Sequence, residues 1–487
     1  MKTDYIKQFI KNHKIIIAIL LLVFLKEILF AMIIPLWQNN DEIEHFAYTY
    51  YIVEEERLPI TTGGSQLELT TSDELSKANQ ILMSDKISFA VFEKNQIIHQ
   101  DFNNVLVNKQ FEEKLSQLNR HDSSDKYKNA TAVYSPLYYY FEAIPYKIFQ
   151  NFSISTRAYA MRIFSILFML VTVLFSFKTA KLFFKSNSTP YVVAILIGFL
   201  PRFSFTSVGI NNDALVIAIS TIAIYYLIRL LNEKLTLKHN LILGLIFGVG
   251  LLSKPQFYIF FLFLFIFYIY QLIKFKKIKP ILISCIIVLL LAVLISSSWF
   301  WFNYTNRGSF PTSQISGALH LNNIDSTSIG LSDTLGYIFI RYIFLITSYF
   351  SMLGCCHEIY TIPIFLGLFY ITIATGLFGY ILFLYKEKKI IKNHFKYLFI
   401  FLIPVILELS YLLIYLRQPL YTGTVDFPID GRYIFPVISA LTIIFILGLK
   451  NIIPKKLHKF SLVILASGII FINLFTLIFN IIPRYYL

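Results

Sequence analysis

Charged side chains are scarce in this chain. Asp, Glu, Lys and Arg make up 15% of its 487 residues, whereas hydrophobic residues make up 56%, and the mean hydropathy is +0.64. A chain of this length with so few charges cannot cover a water-facing surface with polar groups, which excludes a soluble globular fold. The composition predicts a polytopic membrane protein.

Cysteine and several familiar sequence signatures are nearly or fully absent. Cys285 lies in an apolar stretch and the adjacent Cys355 and Cys356 do not readily bridge to each other, so we expect no structural disulfide. The Cys-Cys-His-Glu run at 355–358 lacks a recognised zinc-ligand spacing, and we predict no metal site there. The absence of a Walker loop, a dinucleotide fingerprint and an HExxH motif argues against a nucleotide-driven pump.

Acidic residues are fewer than basic ones, 28 against 43, which gives a net charge of +15. The basic residues form short clusters between apolar spans, a pattern that orients helices in a membrane and does not indicate a nucleic-acid partner. Lys2, Lys7, Lys11 and Lys14 precede the first apolar stretch. The positive-inside rule therefore places the amino terminus in the cytoplasm and the segment after residue 36 outside.

Eleven apolar stretches predict transmembrane helices, each at or near the roughly 20 residues that a bilayer requires. Basic clusters on alternate connections set their direction and predict an external carboxyl terminus. The predicted spans are 15–36, 161–183, 190–210, 213–231, 239–253, 256–273, 280–302, 362–385, 397–416, 433–450 and 460–482.

Two long external segments interrupt these spans. The first holds 17 of the 28 acids between Trp37 and Thr156, and it includes an aromatic interfacial helix at 134–149. In the second, the apolar stretch 335–353 is expected to lie along or dip into the external face, since another crossing would place later lysine clusters outside. The predicted organisation is a cytoplasmic amino terminus with the first span (1–36), an external loop with interfacial helices (37–160), spans two to seven (161–302), an external loop (303–361) and spans eight to eleven (362–487).

The segment directly after the first span carries the densest set of reactive side chains. Asp41, Glu42, Glu44 and His45 lie there, and on a helix Asp41 and His45 share a face at four-residue spacing. Ionisable groups at membrane depth are costly to keep without a use, so we expect a general base and a helper. The structural alternative is a helix start, where acids are also favoured.

Further polar residues fall on the same predicted side. Asn212 and Asp213 follow the third span and offer a second carboxylate, with helix capping as the alternative. Tyr138, in the run YSPLYYY, suits either sugar stacking or an interfacial aromatic belt. Cations at external helix ends suit a lipid phosphate, although such side chains also snorkel to the interface. These cations are Arg162, Arg202, Lys254 and Arg432.

The order of these segments resembles the GT-C superfamily of polytopic glycosyltransferases, which includes protein O-mannosyltransferases, aminoarabinose transferases and their bacterial relatives. The segments that carry the resemblance are NNDEIEHF at 39–46, SPLYYY at 135–140, Arg-x-x-Ser at 162–165, Asn-Asn-Asp at 211–213, Lys-Pro at 254–255 and GRYIFP at 431–436.

The resemblance implies an all-α, GT-C-like enzyme of the bacterial cell membrane. It would move a sugar from a polyprenyl-phosphate donor to a glycan, lipid or protein acceptor at the outer face; the need for a divalent cation stays open. The acid after the first span would take the proton of the acceptor, which assigns the role to Asp41, with Glu42 as second choice. The residues expected to contact the substrates are His45, Tyr138, Arg162, Asn212, Asp213, Lys254 and Arg432.

Two other classes remain open at this point. A transporter or flippase of lipid-linked sugars would place charges along a path near the bilayer midplane, where the sequence has only Lys26, Glu27 and Glu408. A non-catalytic membrane assembly subunit would tolerate the loss of Asp41.

Overall fold

Helices dominate the computed structural model of the chain, which confirms the predicted all-α membrane fold. The structure describes residues 2–59, 67–71, 90–93, 96–99, 117–118, 125–129, 131–307, 331–353, 359–360, 362–386, 395–422 and 430–486. The helices in chain order are α1 Lys2–Ile33, α2 Glu42–Glu54, α3 Leu137–Ile148, α4 Ile154–Phe183, α5 Thr189–Gly198, α6 Pro201–Ser207, α7 Asp213–Leu230, α8 Leu237–Leu251, α9 Phe260–Phe275, α10 Ile278–Arg307, α11 Leu331–Phe350, α12 Pro363–Lys386, α13 Lys396–Thr422, α14 Ile438–Ile452, α15 His458–Thr476 and α16 Ile482–Tyr486. Short 3-10 segments occupy Thr131–Val133, Pro255–Ile259, Gly431–Val437 and Lys455–Leu457, and a π-helical turn occupies Leu477–Ile481.

Three short antiparallel strand pairs, which the sequence did not predict, lie between the helices. They are β1 Leu67–Thr71 with β4 Asp125–Asn129, β2 Ala90–Glu93 with β3 Gln96–His99, and β5 Met352–Leu353 with β6 Ile359–Tyr360. The first two pairs fall within segment 37–160, which the sequence predicts to be external. That segment also contains α2 and α3, and α3 coincides with the interfacial helix expected at 134–149.

All eleven predicted spans coincide with helices. Nine helices in the described ranges are long and apolar enough to cross a membrane, and the pair α5 and α6 counts as a tenth if it is one broken span. The two halves of the pair meet at 60°. The break lies at Leu200, whose backbone is extended because Pro201 follows it. The remaining predicted span, 239–253, corresponds to α8, which has only 15 residues.

The helix α7 lies at the centre of the bundle. Of its most apolar window, 78% is buried, compared with 22% for α10 and 17% for α12. Leu and Ile side chains on α10 and α12 are exposed, as expected for helices that face lipid. The amino-terminal end of α7 therefore lies in the interior of the protein, and the candidate site is built around it.

Small residues allow α12 and α14 to pack closely. A Cβ atom added to Gly448 of α14 would lie 1.8 Å from the carbonyl oxygen of Gly376 in α12. Helices in a membrane gain their association from such close approach, because lipid removes the hydrophobic driving force between them. This contact fixes α14 against α12.

Candidate active site

A tight turn between α1 and α2 delivers Asp41 to the site. Trp37 and Asp41 both have left-handed backbone angles, with φ of 67° and 57°. Non-glycine residues adopt this region rarely and keep it only where surrounding contacts enforce it. Asp41 occupies the cap position of α2, but its side chain makes no capping hydrogen bond. The carboxylate is thus free to point toward other parts of the chain.

Glu42 and Arg162 form the buried pair that enforces this turn. Arg162 Nε and Nη2 donate to the two carboxylate oxygens of Glu42, both at 2.6 Å. The same carboxylate accepts the backbone N–H of Trp37 at 2.9 Å and of Ile210 at 3.2 Å. Glu42 therefore joins α4, the turn after α1 and the segment before α7.

The hydrogen-bonding capacity of Arg162 is used up inside the protein. Its other donors reach the backbone oxygens of Ala31, Ile34 and Pro35 at 2.9, 2.5 and 2.8 Å. A guanidinium has five N–H groups, and all five are accounted for. The sequence suggested Glu42 as an alternative base and Arg162 as a substrate ligand. The geometry instead favours positioning roles for both.

An ionic cluster brings together four distant parts of the chain around Arg432. Arg432 Nη2 lies 3.0 Å from Asp41 Oδ2, and Arg432 Nε lies 3.3 Å from Asp430 Oδ2 and 3.7 Å from Asp213 Oδ2. Lys254 Nζ approaches Asp213 Oδ1 at 2.5 Å. The structure thereby unites Asp41, Asp213, Lys254 and Arg432, which the sequence predicted for one site.

Asp430 belongs to the same cluster, and sequence reasoning missed it. Its Oδ2 accepts from Arg202 Nη2 at 2.7 Å, and its Oδ1 accepts the backbone N–H of Arg432 at 3.0 Å. The available signal was the Asp-Gly pair before Arg432, since Asp commonly caps a helical turn. With Asp430 and Arg202 included, the cluster has three carboxylates and three cations, and its formal charges balance.

The backbone around Arg432 is held rigidly. The preceding Gly431 packs so closely on α11 that an added Cβ would lie 2.1 Å from the backbone nitrogen of Tyr349. The Gly431 N–H also donates to Ser348 Oγ at 2.8 Å. Within the described part of the chain, Nη1 of Arg432 has no hydrogen-bond partner, although the side chain is only 8% exposed. The cluster therefore contains a fixed cation with an unused donor.

The amino-terminal end of α7 borders the cluster. Both polar atoms of the Asn211 side chain have partners: its Nδ2 donates to the Asn40 carbonyl at 2.9 Å and its Oδ1 accepts the Asp213 N–H at 2.9 Å. The carboxamide of Asn212 is buried, and among the described residues neither its oxygen nor its nitrogen has a partner. Asn212 could therefore bond to a polar ligand, as the sequence predicted, whereas Asn211 shapes the turn.

His45 lies beside the cluster in an aromatic environment. Its Nδ1 is 2.9 Å from Tyr139 Oη, its ring stacks at 17° on Tyr134, and Lys254 Nζ lies 5.3 Å from the Tyr134 ring centroid. Burial lowers the pKa of His45 to about 3, and the nearby Asp41 does not offset that effect. The imidazole is therefore neutral at physiological pH and serves as a polar, uncharged neighbour of the site.

Tyr138 is not placed where a sugar could stack on it. The side chain is fully buried, and its hydroxyl is 2.8 Å from Ser165 Oγ and accepts the Asn211 N–H at 2.8 Å. Burial, together with Glu142, raises the pKa of the Tyr138 hydroxyl. The geometry favours a role in holding Asn211, in place of the substrate contact suggested by the sequence.

Asp41 is the exposed member of the cluster. Its side chain is 49% exposed, whereas those of Asp213 and Asp430 are 2% and 4% exposed. Burial acts to raise the pKa of Asp41, but the opposing effects of its neighbours, of which the charge and hydrogen bond of Arg432 are the main part, together hold the pKa below its ordinary value. Asp41 is therefore ionised at neutral pH and is the carboxylate that an external reactant can reach.

No set of three or more His, Cys, Asp or Glu side chains in the described ranges could hold a metal ion. The run at 355–358 lies outside these ranges. Cys285 in α10 is a free thiol.

The architecture is that of a GT-C-like membrane protein, and comparison with solved structures confirms the fold. The chain is similar to the archaeal oligosaccharyltransferase AglB from Archaeoglobus fulgidus in complex with an inhibitory peptide and a dolichol-phosphate, with a TM-score of 0.51 and 11% identity over 98% of this chain and 56% of AglB. It is also similar to ArnT from Cupriavidus metallidurans bound to undecaprenyl phosphate, with a TM-score of 0.48 and 12% identity over 98% of this chain and 74% of ArnT. Both are GT-C glycosyltransferases.

This chain therefore spans a little over half the length of AglB. No curated protein matches its sequence significantly. Residues 24–441 match the family described as "Predicted membrane protein (DUF2142)", and the chain belongs to that family.

Proposed function

We propose that this protein is a membrane glycosyltransferase that moves a sugar from a polyprenyl-phosphate donor to an acceptor hydroxyl at the outer face of the membrane. The observation that carries the proposal is the cluster itself, in which a half-exposed carboxylate, Asp41, contacts a fixed cation with an unused donor, Arg432. Lys254 adds a second cation next to them. A base beside cations is the pairing that transfer from a phosphate leaving group requires.

The reaction follows from these groups. Asp41 accepts the proton of the acceptor hydroxyl while the oxygen of that hydroxyl attacks the anomeric carbon of the sugar. The bond between that carbon and the phosphate oxygen breaks, and the bond electrons leave with the lipid phosphate. Arg432 and Lys254 stabilise the negative charge that develops there. Attack from the side opposite the phosphate inverts the anomeric centre.

The donor class is supported by two independent arguments. The cluster is reached directly from the end of α1, a membrane-spanning helix, so its cations lie close to where a lipid head group would rest. In addition, AglB, which shares the fold, was seen with a dolichol-phosphate. For the acceptor, we keep a glycan, a lipid or a protein as candidates, since the cluster specifies only a hydroxyl group.

The test compares a strain that lacks the gene with the same strain carrying the wild-type protein or Asp41→Asn. Lipid and glycan profiling of the deletion strain and of the strain that carries the wild-type protein identifies the missing sugar product. Asn tolerates left-handed backbone angles, so the variant should fold and insert normally. We expect Asp41→Asn to lower transfer by roughly 100- to 10,000-fold, the usual contribution of a positioned base.

The matched control is Glu56→Gln, which removes a negative charge from an exposed, left-handed position just beyond α2. This variant should restore the product fully. If Asp41→Asn restores it equally well, Asp41 is not the base and the proposed mechanism fails.

A further inference from the structure

The guanidinium of Arg432 is shared among three carboxylates, Asp41, Asp213 and Asp430. The cluster that contains it is balanced in charge before any donor arrives. A phosphate that enters this cluster adds negative charge and competes for the same cation. Nη1 of Arg432 is an unused donor for the phosphate, but a phosphate bonded there lies beside the carboxylates that share the same guanidinium and repels them. We therefore expect one of the three carboxylates to give up its contact.

Only Asp41 is placed to leave. Asp430 is fixed by Arg202 at 2.7 Å and by the backbone N–H of Arg432, and Asp213 is paired with Lys254 at 2.5 Å. Both of these carboxylates are almost completely buried. Asp41, by contrast, is half-exposed and its side chain has no capping bond to its own helix. Water can solvate it when it turns away from Arg432, so the move carries a small cost.

We propose that the donor phosphate displaces Asp41 from Arg432, so that donor binding itself frees the carboxylate that acts as the base. The inference rests on the proposed function and adds an order to it, with the donor first and the acceptor second. While Asp41 is paired with Arg432, the guanidinium holds its pKa low and makes it a weak base. Displacement by phosphate removes that restraint at the moment when the sugar is in place. The Asp41–Arg432 pair is therefore a latch that the donor opens.

The latch makes an unusual prediction: removing the charge of the base should strengthen binding of the lipid phosphate. The full-length protein in lipid nanodiscs is titrated with undecaprenyl phosphate, and binding is followed by intrinsic tryptophan fluorescence, because Trp37 lies in the turn that carries Asp41. We expect Asp41→Asn to lower Kd by about two- to fivefold, the range that loss of one exposed ion pair produces. Asp41→Glu, which keeps the charge, should bind like the wild type.

Two further variants complete the experiment. Arg432→Gln should raise Kd at least about tenfold, the scale of a lost charge-assisted contact. Glu56→Gln, which removes a charge away from the cluster, should leave Kd unchanged and so exclude a general electrostatic effect.

The outcomes separate the latch from the proposed function. If Asp41→Asn binds as the wild type does or more weakly, while Arg432→Gln loses affinity, the latch is overturned and the phosphate site stands. If Arg432→Gln binds normally, the phosphate lies elsewhere and the latch is overturned while the donor class survives. If the wild type and all variants fail to bind undecaprenyl phosphate, the donor class and the latch both fail.

Discussion

Glu142 links the interior of the protein to the site through a chain of hydrogen bonds. Ser165 Oγ donates to Glu142 Oε1 at 2.7 Å, Tyr138 Oη lies 2.8 Å from Ser165 Oγ, and Tyr138 in turn accepts the Asn211 N–H. Asn211 Oδ1 then accepts the backbone N–H of Asp213. Burial raises the pKa of Glu142 to about 8, so this carboxyl group is protonated at neutral pH. The uncharged form is what the apolar surroundings require.

This residue should make the stability of the protein fall as the pH rises from 4.5 to about 8. The unfolded chain releases the Glu142 proton near the ordinary pKa of 4.5, whereas the folded chain keeps it up to about pH 8. Between these values the folded state binds more protons, so the free energy of unfolding decreases as pH rises. Glu142→Gln has no proton to lose and can still accept from Ser165, so we expect it to melt at least about 2 °C above the wild type in alkaline buffer.

Thermal unfolding in detergent, followed by circular dichroism, measures this effect. The melting temperatures of wild type and Glu142→Gln should differ in buffer at about pH 9 and converge below the unfolded-state pKa of 4.5, where Glu142 is neutral in the folded and the unfolded chain. The same difference at both values would mean that ionisation of Glu142 does not control stability.

At this scale the sequence could indicate the chemistry but not assign each side chain to its role. Asp41 and Glu42 are adjacent and look equivalent in the sequence. Yet Glu42 is buried against Arg162, and Asp41 is 49% exposed, because the left-handed backbone at Asp41 sends the two side chains in different directions. Asp430 was missed since the Asp-Gly pair indicates only a helix cap, and its buried partner Arg202 is distant from it in the sequence. Such pairings depend on tertiary packing, which local pattern does not encode.

Among the elements, the broken pair α5 and α6 depends on a charged residue from another helix. A break in a membrane helix leaves backbone carbonyls without their helical partners. Lys26 of α1 donates to the Gly198 carbonyl at 2.8 Å and to Ser204 Oγ at 2.6 Å, and Glu27 pairs with the same ammonium group. Lys26 and Glu27 are both buried. These two charges thus stabilise the break, which weakens the argument for a transporter pathway through them.

Replacing Lys26 with Leu should destabilise the protein by about 3 to 5 kcal/mol, because it leaves Glu27 as an unpaired buried charge. The double variant Lys26→Leu with Glu27→Leu should recover a large part of that loss, since removal of both charges of a buried pair is often close to neutral. Melting temperatures of the wild type, the two single variants and the double variant form the required cycle. A Lys26→Leu protein as stable as the wild type would show that the pair does not support the break.

The helices were easier to predict than the strands. Hydropathy located a helix for every expected span, because a bilayer-crossing helix needs a long apolar stretch regardless of its packing. The strands β1 to β4 were missed, since each is only four or five residues long, which is too short for a periodic pattern to stand out. Leu200 and Pro201 mark the break between α5 and α6, but the sequence could not show which residue would bond to the backbone carbonyl left free at the break.

For the whole molecule, the contacts at the site constrain how the helices run. Asp213 begins α7 and Lys254 follows α8, yet their side chains are 2.5 Å apart. The start of α7 and the end of α8 therefore lie at one level of the molecule, which we call the layer of the site. The two helices must run through the membrane in opposite directions, which favours α8 as a full span despite its 15 residues. By the same reasoning α9 leaves the layer of the site and α10 returns to it.

Arg432, which precedes α14, contacts Asp41 and so lies in that layer too. The chain between α10 and Arg432 must then cross the membrane an even number of times. Among its helices, α12 and α13 are long and apolar enough to do so. This favours α11 as a helix that does not cross, in agreement with the prediction for 335–353.

The carboxyl-terminal end returns to the same layer. Helix α14 leads away from the site and the continuous helical stretch Lys455–Tyr486 leads back. Tyr486 Oη donates to the carbonyl of Ile33, the last residue of α1, at 2.8 Å. Because α1 runs directly into the turn that carries Asp41, the end of the chain and the candidate site should be on one side of the membrane, opposite the lysine-rich amino terminus.

A pair of reporter fusions tests this arrangement. Alkaline phosphatase fused after Leu487 should be active, because the positive-inside rule puts Lys2, Lys7 and Lys11 in the cytoplasm and the contacts place the carboxyl terminus on the other side. The same reporter fused after Lys456, between α14 and α15, should be inactive. Equal activity from both fusions would mean that the last helices do not cross as a pair, and an active fusion only at Lys456 would invert the topology. The site would then face the cytoplasm, where a hydroxyl acceptor on the cell surface could not reach Asp41.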